Sequence, residues 1–245
     1  YARRAFELIE NWIDNNPLMY SINWGCAMDV AIRAVNWIWA LPLLESYKVS
    51  AEISKKVNGS LYQHGWFIYR NLEGSIFGYN NNHYFSDIVG LLHIGLLFNN
   101  SKEGNKWFEY AKKEFFRELR VQILPCGMLY EGSTNYNRLV LELIIPSIIL
   151  LKRNGYDIPT DIDARMESMF DFIADSIMPN GEMPIVGDQD NGRVLSFCED
   201  NTNDYRYLLS LGALLYHRGD FKVKGNGYNA YCSLYGGESS FERFN

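Results

Sequence analysis

Two short stretches of this chain carry residue types that could handle a proton or an oxyanion. The first is Asn80-Asn81-Asn82-His83, set directly before an apolar run. An asparagine at a helix start is by default a cap for a backbone amide, but three in a row followed by histidine exceed what capping needs. A carboxamide beside an imidazole can together donate hydrogen bonds to a carboxylate or oxyanion. The second is Tyr130-Glu131-Gly132-Ser133-Thr134-Asn135-Tyr136-Asn137-Arg138, a polar loop entering a strongly apolar segment. Thr134 or Asn135 is the expected N-cap. Tyr136 then lies in the first turn beside Arg138, whose charge favours a phenolate and so general acid or base work. The competing reading makes Tyr136 a loop anchor, since the chain holds 17 tyrosines.

Two further segments invite chemistry and partly lose it on inspection. Pro184-Ile185-Val186-Gly187-Asp188-Gln189-Asp190-Asn191-Gly192-Arg193 suggests a calcium loop, yet Arg193 fills the position where an EF-hand needs glycine. Asp188 and Asp190, two residues apart, are also poorly spaced to flank a glycosidic bond, where an inverting pair needs about 6.5–9.5 Å. A tight Asp–Arg loop brace is expected instead. In the stretch from Trp24 to Trp37, Asp29 and Arg33 stand four apart, the spacing of a helical salt bridge. Trp24 and Trp37 read as core, with sugar stacking as the other use of such rings.

The elements that must position these residues are helical. Apolar residues recur every three or four positions and alternation at period two is nearly absent, so the class is all-α. Helices are expected at 1–14, 24–44, 50–72, 82–99, 102–122, 135–153, 160–178 and 203–217, between Gly, Pro, Asn and Asp clusters. Ile88–Phe98 and Leu139–Leu151 are apolar nearly all round and should be buried on every side. Pro146 should kink or divide the second of these. Glu103–Arg120, with Lys106, Lys112, Lys113, Glu114, Arg117 and Glu118, has the composition of a solvated outer face. Alternating inner and outer helices predict hairpins closing into an incomplete (α/α) toroid with a central cleft, in a single domain spanning 1–245. Long polar loops at 123–134 and 179–202 are expected to carry function.

Composition excludes several classes. Hydrophobic residues are 47% and charged residues 21% of the 245, ordinary globular values. With 23 basic and 29 acidic residues the net charge is −6, which gives no global attraction for nucleic acid or an anionic membrane and argues mildly against a polyanionic substrate. No apolar stretch predicts a membrane span. Cys26, Cys126, Cys198 and Cys232 are spread singly, without zinc or redox spacing, and read as free, mostly buried thiols. No phosphate loop or metal-ligand cluster is visible, so no cofactor and no metal are expected.

Taken together, four features resemble the helical domain of the heparinase II/III-like polysaccharide lyases, a family extending to oligoalginate lyases. They are the Trp24-to-Arg33-to-Asn36-Trp37 pattern, the Asn82-His83 pair, the Glu131-Gly-Ser-x-x-Tyr136 loop and the Pro184-x-x-Gly-Asp-x-Asp-x-Gly-Arg193 loop. In that family an Asn-His pair is followed some fifty-odd residues later by a cleft tyrosine, and here Tyr136 follows His83 by 53 residues. The resemblance implies a bacterial enzyme, periplasmic or secreted, that cleaves a uronic-acid polysaccharide such as a glycosaminoglycan or alginate by β-elimination. It implies that Asn82 binds the uronate carboxylate, His83 assists it and Tyr136 protonates the departing glycosidic oxygen. Trp24, Arg33, Glu131, Arg138 and Arg193 form the implied substrate-binding set, Arg33 and Arg193 either lining or bracing the cleft. Members usually continue into a C-terminal β-sandwich carrying a further catalytic His or Tyr, and no β-rich segment is expected within this chain. The alternatives are a non-catalytic carbohydrate-binding or assembly module, and a hydrolase using two acids among Glu131, Asp188 and Asp190.

Overall fold

The computed structural model describes residues 1–44, 47–75, 78–197 and 201–244, so Cys198 lies outside the described residues. Among these the chain is helical without strands. Contacts divide it into two compact units, Tyr1–Glu118 and Leu119–Asn245, the division falling inside one long helix.

The first unit holds α1 (Ala2–Asn15), α2 (Ala27–Leu43), α3 (Ala51–Arg70), α4 (Asn82–Leu97) and most of α5 (Lys102–Gln122), with a 3-10 turn at Ile22–Trp24. Helix α4 is buried on every side from Tyr84 to Gly95, as its uninterrupted apolar character requires. It reaches its neighbours closely because it lacks side chains where they touch. A Cβ on Gly90 would stand 2.5 Å from Ala31 Cβ of α2, and one on Gly95 would stand 2.5 Å from the Phe108 amide of α5. Helix α5 buries Trp107, Phe108, Ala111, Phe115 and Leu119, a stripe at helical spacing, and turns Lys106 and Lys113 to solvent. Glu118, expected on that solvated face, is instead buried, where it accepts from Asn80 Nδ2 at 2.8 Å.

Two histidines are sealed into this core as neutral rings. His64 of α3 accepts from Arg33 Nε, and His93 of α4 accepts from the Trp39 indole, each through Nε2. Their Nδ1 atoms face the carbonyls of Ser60 and Val89 one turn earlier. Burial pulls His64 down to about 3, reinforced by Arg33, and pulls His93 down to about 4.

The second unit is built on α6 (Thr134–Arg153), with α7 (Thr160–Ser176), α8 (Arg206–Tyr216), α9 (Gly219–Lys224), α10 (Ala230–Gly236) and α11 (Ser240–Phe244). Among the described residues α6 is the one helix long and apolar enough to cross a membrane, but 89% of its most apolar window is buried within the protein, which marks it as a core helix. It runs through Pro146 without a break, so the expected division into two helices does not occur. The three short C-terminal helices were not expected, because five to seven residues are too few to show a period. Two isolated antiparallel bridges, Ile123 with Leu129 and Glu182 with Asp204, pin the long loops. Cys26, Cys126 and Cys232 are free thiols, and only Cys232 is buried, against the expectation for most of them.

The α2–α4 approach makes a paired prediction. Gly90→Ala forces a methyl against the fixed Ala31 backbone and should destabilise by about 1–3 kcal/mol. Gly59→Ala, at an exposed position of α3 with nothing within 4 Å, should stabilise by up to about 1 kcal/mol. Urea unfolding followed by helical circular dichroism reads both, and a neutral Gly90→Ala would contradict the packing described.

Candidate functional site

In the first unit the asparagine run divides its labour. Asn81 is the N-cap of α4, its Oδ1 accepting from the Tyr84 amide at 3.4 Å. Asn80 is buried and ties the preceding loop, accepting from Ser75 N at 2.9 Å and donating to Glu118. Asn82 is the first helical residue and is 4% exposed, whereas the adjacent His83 side chain keeps 43% of its surface.

His83 is not alone. Its Nδ1 lies 2.7 Å from Glu73 Oε2. The other oxygen, Glu73 Oε1, accepts from the amides of Ala27 at 2.7 Å and Met28 at 3.1 Å and from Cys26 Sγ at 3.2 Å. The carboxylate thus caps the N-terminus of α2, whose own N-cap Cys26 offers no side-chain acceptor. Burial works to raise the Glu73 carboxyl, but the Met28 amide, His83 and Cys26 together hold it below the usual range. The Glu73 amide in turn donates to Asp87 Oδ2 at 2.7 Å. Asp87 is fully buried on α4, one turn after His83, and its Oδ1 has no partner among the described residues. Burial pushes its carboxyl up to about 8, with the Glu73 charge adding to the effect.

Arg33 of α2 occupies an aromatic box in the same unit. Its guanidinium lies 4.2 Å from the Trp12 ring centre and 5.3 Å from that of Trp24. It donates to His64 and, through Nη2, to the Asn23 carbonyl at 3.1 Å. The expected salt bridge to Asp29 does not form, because these partners take the guanidinium elsewhere. Burial draws Arg33 down to about 10, partly offset by the Asp29 charge. Trp24 is core: it is 5% exposed, packs on His64 and Phe67, and donates its indole N–H to the Asn16 carbonyl.

In the second unit the N-cap of α6 is Ser133 rather than Thr134 or Asn135. Its hydroxyl accepts from the Tyr136 amide at 3.1 Å and donates to the Asp188 carbonyl at 2.6 Å. Thr134 and Asn135 clasp the loop that follows Pro184, donating to the carbonyls of Pro184 and Asp190 at 2.9 and 2.8 Å. Gly187, at φ 72°, passes so close that a Cβ would meet the Gly132 carbonyl at 2.6 Å. Arg138 is wholly buried and donates to the carbonyls of Thr202, Asp190 and Gly192. Arg193 pairs with buried Glu142 at 2.8 Å and donates to the Tyr231 hydroxyl, so of lining and bracing it does the bracing. The brace of this loop is therefore arginine to main-chain carbonyls and to Glu142. The Asp190 carboxylate accepts instead from the Gly192 amide.

Tyr136 itself is partly exposed at the start of α6. Its phenol is raised above the usual value, first by burial and then by the negative charges of Asp188, Asp190 and Glu131. The phenolate expected from Arg138 is thereby reversed: Arg138 is spent inside the loop, and acids surround the phenol. The phenol holds its proton. The structure therefore places Asn82, His83, Arg33 and Trp24 in the first unit and Glu131, Tyr136, Arg138 and Arg193 in the second.

Sequence reasoning missed Glu73, Asp87 and His64, which lie outside any motif and are joined to their partners only by folding. It also missed that Cys26, Glu73 and His83 bring their ligand atoms within 4.8 Å of one another, close enough to hold a metal ion. Two features oppose a cation there. The α2 amides point their positive ends at Glu73, and the Cys26 thiol, pushed up to about 11 mainly by burial, holds its proton.

The family model described as Heparinase II/III N-terminus matches residues 1–209. No curated protein and no solved structure matches the chain.

Asp87 gives a pH prediction. Unfolded, it loses its proton near 3.8; folded, it keeps it to about 8, so between these values folding takes up a proton and stability falls as pH rises. Asp87→Asn is close to isosteric with the protonated acid and cannot ionise. Its melting temperature relative to the native chain should climb from pH 4 to pH 8 and then level, and a pH-independent difference would contradict the assignment.

Proposed function

Since the chain belongs to the heparinase II/III family, we propose that it is the helical part of a polysaccharide lyase that cleaves a uronic-acid-containing polymer by β-elimination. The observation that carries this reading is the Asn82–His83 pair at the N-terminus of α4, a buried carboxamide beside a half-exposed imidazole whose ring is already fixed. The reading carries with it the (α/α) toroid, a C-terminal β-sandwich completing the enzyme, and a location outside the cytoplasm.

Elimination removes the weakly acidic C5 proton while negative charge builds on the uronate carboxylate, so neutralising that charge is the main task. In this reading Asn82 donates to the carboxylate, with the positive end of α4 adding to the field. His83 serves the same carboxylate and the C5 proton. As the C4–O bond breaks, Tyr136 gives its proton to the departing oxygen. A phenol whose proton is retained among Glu131, Asp188 and Asp190 suits that role better than a phenolate would. Arg33, partly exposed in its indole box, is the proposed contact for a further anionic group.

The test incubates a full-length protein, with the C-terminal domain this reading requires, with heparan-type, alginate and bacterial exopolysaccharide substrates and follows the absorbance of the C4–C5 double bond. Asn82→Ala and Tyr136→Phe should each lower turnover by about two to three orders of magnitude. Oligosaccharides heavier by one water and lacking the double bond would make the protein a hydrolase. Binding without any product, unaffected by either substitution, would make it a carbohydrate-binding module.

A further inference from the structure

We propose that Glu73 is a positioning residue for His83, holding the imidazole in the tautomer that carries its proton on Nδ1 and leaves Nε2 as the working atom. The proposal rests on the lyase reading for its catalytic consequence, while the tautomer itself does not.

A carboxylate only accepts hydrogen bonds, so the 2.7 Å contact between His83 Nδ1 and Glu73 Oε2 requires the proton to sit on Nδ1. What distinguishes this contact from an ordinary surface pair is that the carboxylate has no freedom to follow the ring. Three donors fix its other oxygen, two of them main-chain amides in the first turn of α2. Its own amide is fixed by Asp87, which stands four residues after His83 on the same helix. Helix α4 thus grips Glu73 at both ends, by side chain through His83 and by main chain through Asp87. Exposed pairs without such fixation hold no defined geometry.

The consequence is a division of the ring's two nitrogens. Nδ1 is spent inward. Nε2, with no partner among the described residues on a ring that keeps 43% of its surface, presents a lone pair while the ring is neutral. It can then accept the C5 proton of a uronate; the resulting imidazolium, still bonded to Glu73, is stabilised by that anion and can donate to the substrate carboxylate. Electrons from the C5–H bond form the C4–C5 double bond, and the C4–O pair leaves with the glycosidic oxygen, which takes a proton from Tyr136.

Ring-nitrogen NMR of the histidine-labelled chain tests this directly at a pH where the rings are neutral. The chain has four histidines, and His83→Gln assigns the signal. The native spectrum should show Nδ1 protonated and Nε2 bare; an Nε2-protonated His83 overturns the proposal without any variant. Glu73→Gln, which keeps an acceptor for α2 but loses the charge, should lose that preference and lower kcat about ten- to a hundredfold with KM little changed. Should Glu73→Gln not fold, Glu73→Asp, which keeps the charge but is too short to reach both α2 and His83, gives the same reading. Unchanged tautomer and unchanged kcat in a folded variant would refute the positioning role. A native chain with the stated tautomer but no unsaturated product from any uronate polymer would remove the lyase reading and leave the Glu73–His83 device standing.

Discussion

The close approach of α4 to α2 is the constraint on which the first unit depends. Only a glycine at position 90 lets the two backbones come together over Ala31, and that contact brings the first turn of α2 and the start of α4 within reach of a single carboxylate. Helix N-termini carry unsatisfied amides, and the α2 start has no capping side chain of its own. Glu73 satisfies it from a segment more than forty residues away and orients His83 with the same group. A packing decision in the middle of two helices therefore becomes a chemical decision at their ends.

The second unit solves a different problem, that of keeping a long loop in one course against a helix start. It does so with cations, hydroxyls and a carboxamide: Arg138, Arg193, Ser133, Thr134 and Asn135 are all turned away from solvent or spent on partners. Glu142 also faces buried Arg138 at 3.9 Å and accepts from the Val194 amide and the Tyr207 hydroxyl, so one carboxylate ties both arginines to the loop and to α8. The charges of Asp188, Asp190 and Glu131 then act on Tyr136 together with its burial, and the phenol keeps its proton. Electrostatics here follow from how the loop is held.

Much of the fold was legible because burial imposes period. The eight long helices fall within a few residues of their expected positions, and α4 and α6 are buried all round as their apolar runs require. The site was legible only where residues are neighbours in sequence, as with Asn82 and His83. Glu73 and Asp87 gave no signal, because a single acid in a loop or an apolar helix looks like any other until its partners arrive from a distant element. Proximity misled in two places: Arg33 turns from Asp29 to His64, and Arg138 turns from Tyr136 to the loop carbonyls. In both cases the guanidinium, wholly buried at Arg138 and partly so at Arg33, found more acceptors than its sequence neighbour offers. The N-cap of α6 falls on Ser133, one residue before Thr134 and two before Asn135, whose side chains are spent on the carbonyls of Pro184 and Asp190.

That loop is held almost entirely by its main chain. Ser133, Thr134, Asn135 and Arg138 read the carbonyls of Pro184, Asp188, Asp190 and Gly192, which every amino acid possesses, and Gly187 is demanded by space. Asp188 and Gln189 are exposed. Exchange of those two would alter the charge and hydrogen-bonding character presented beside the phenol while the loop kept its path, so a lineage could retune what it recognises there without first having to rebuild the protein.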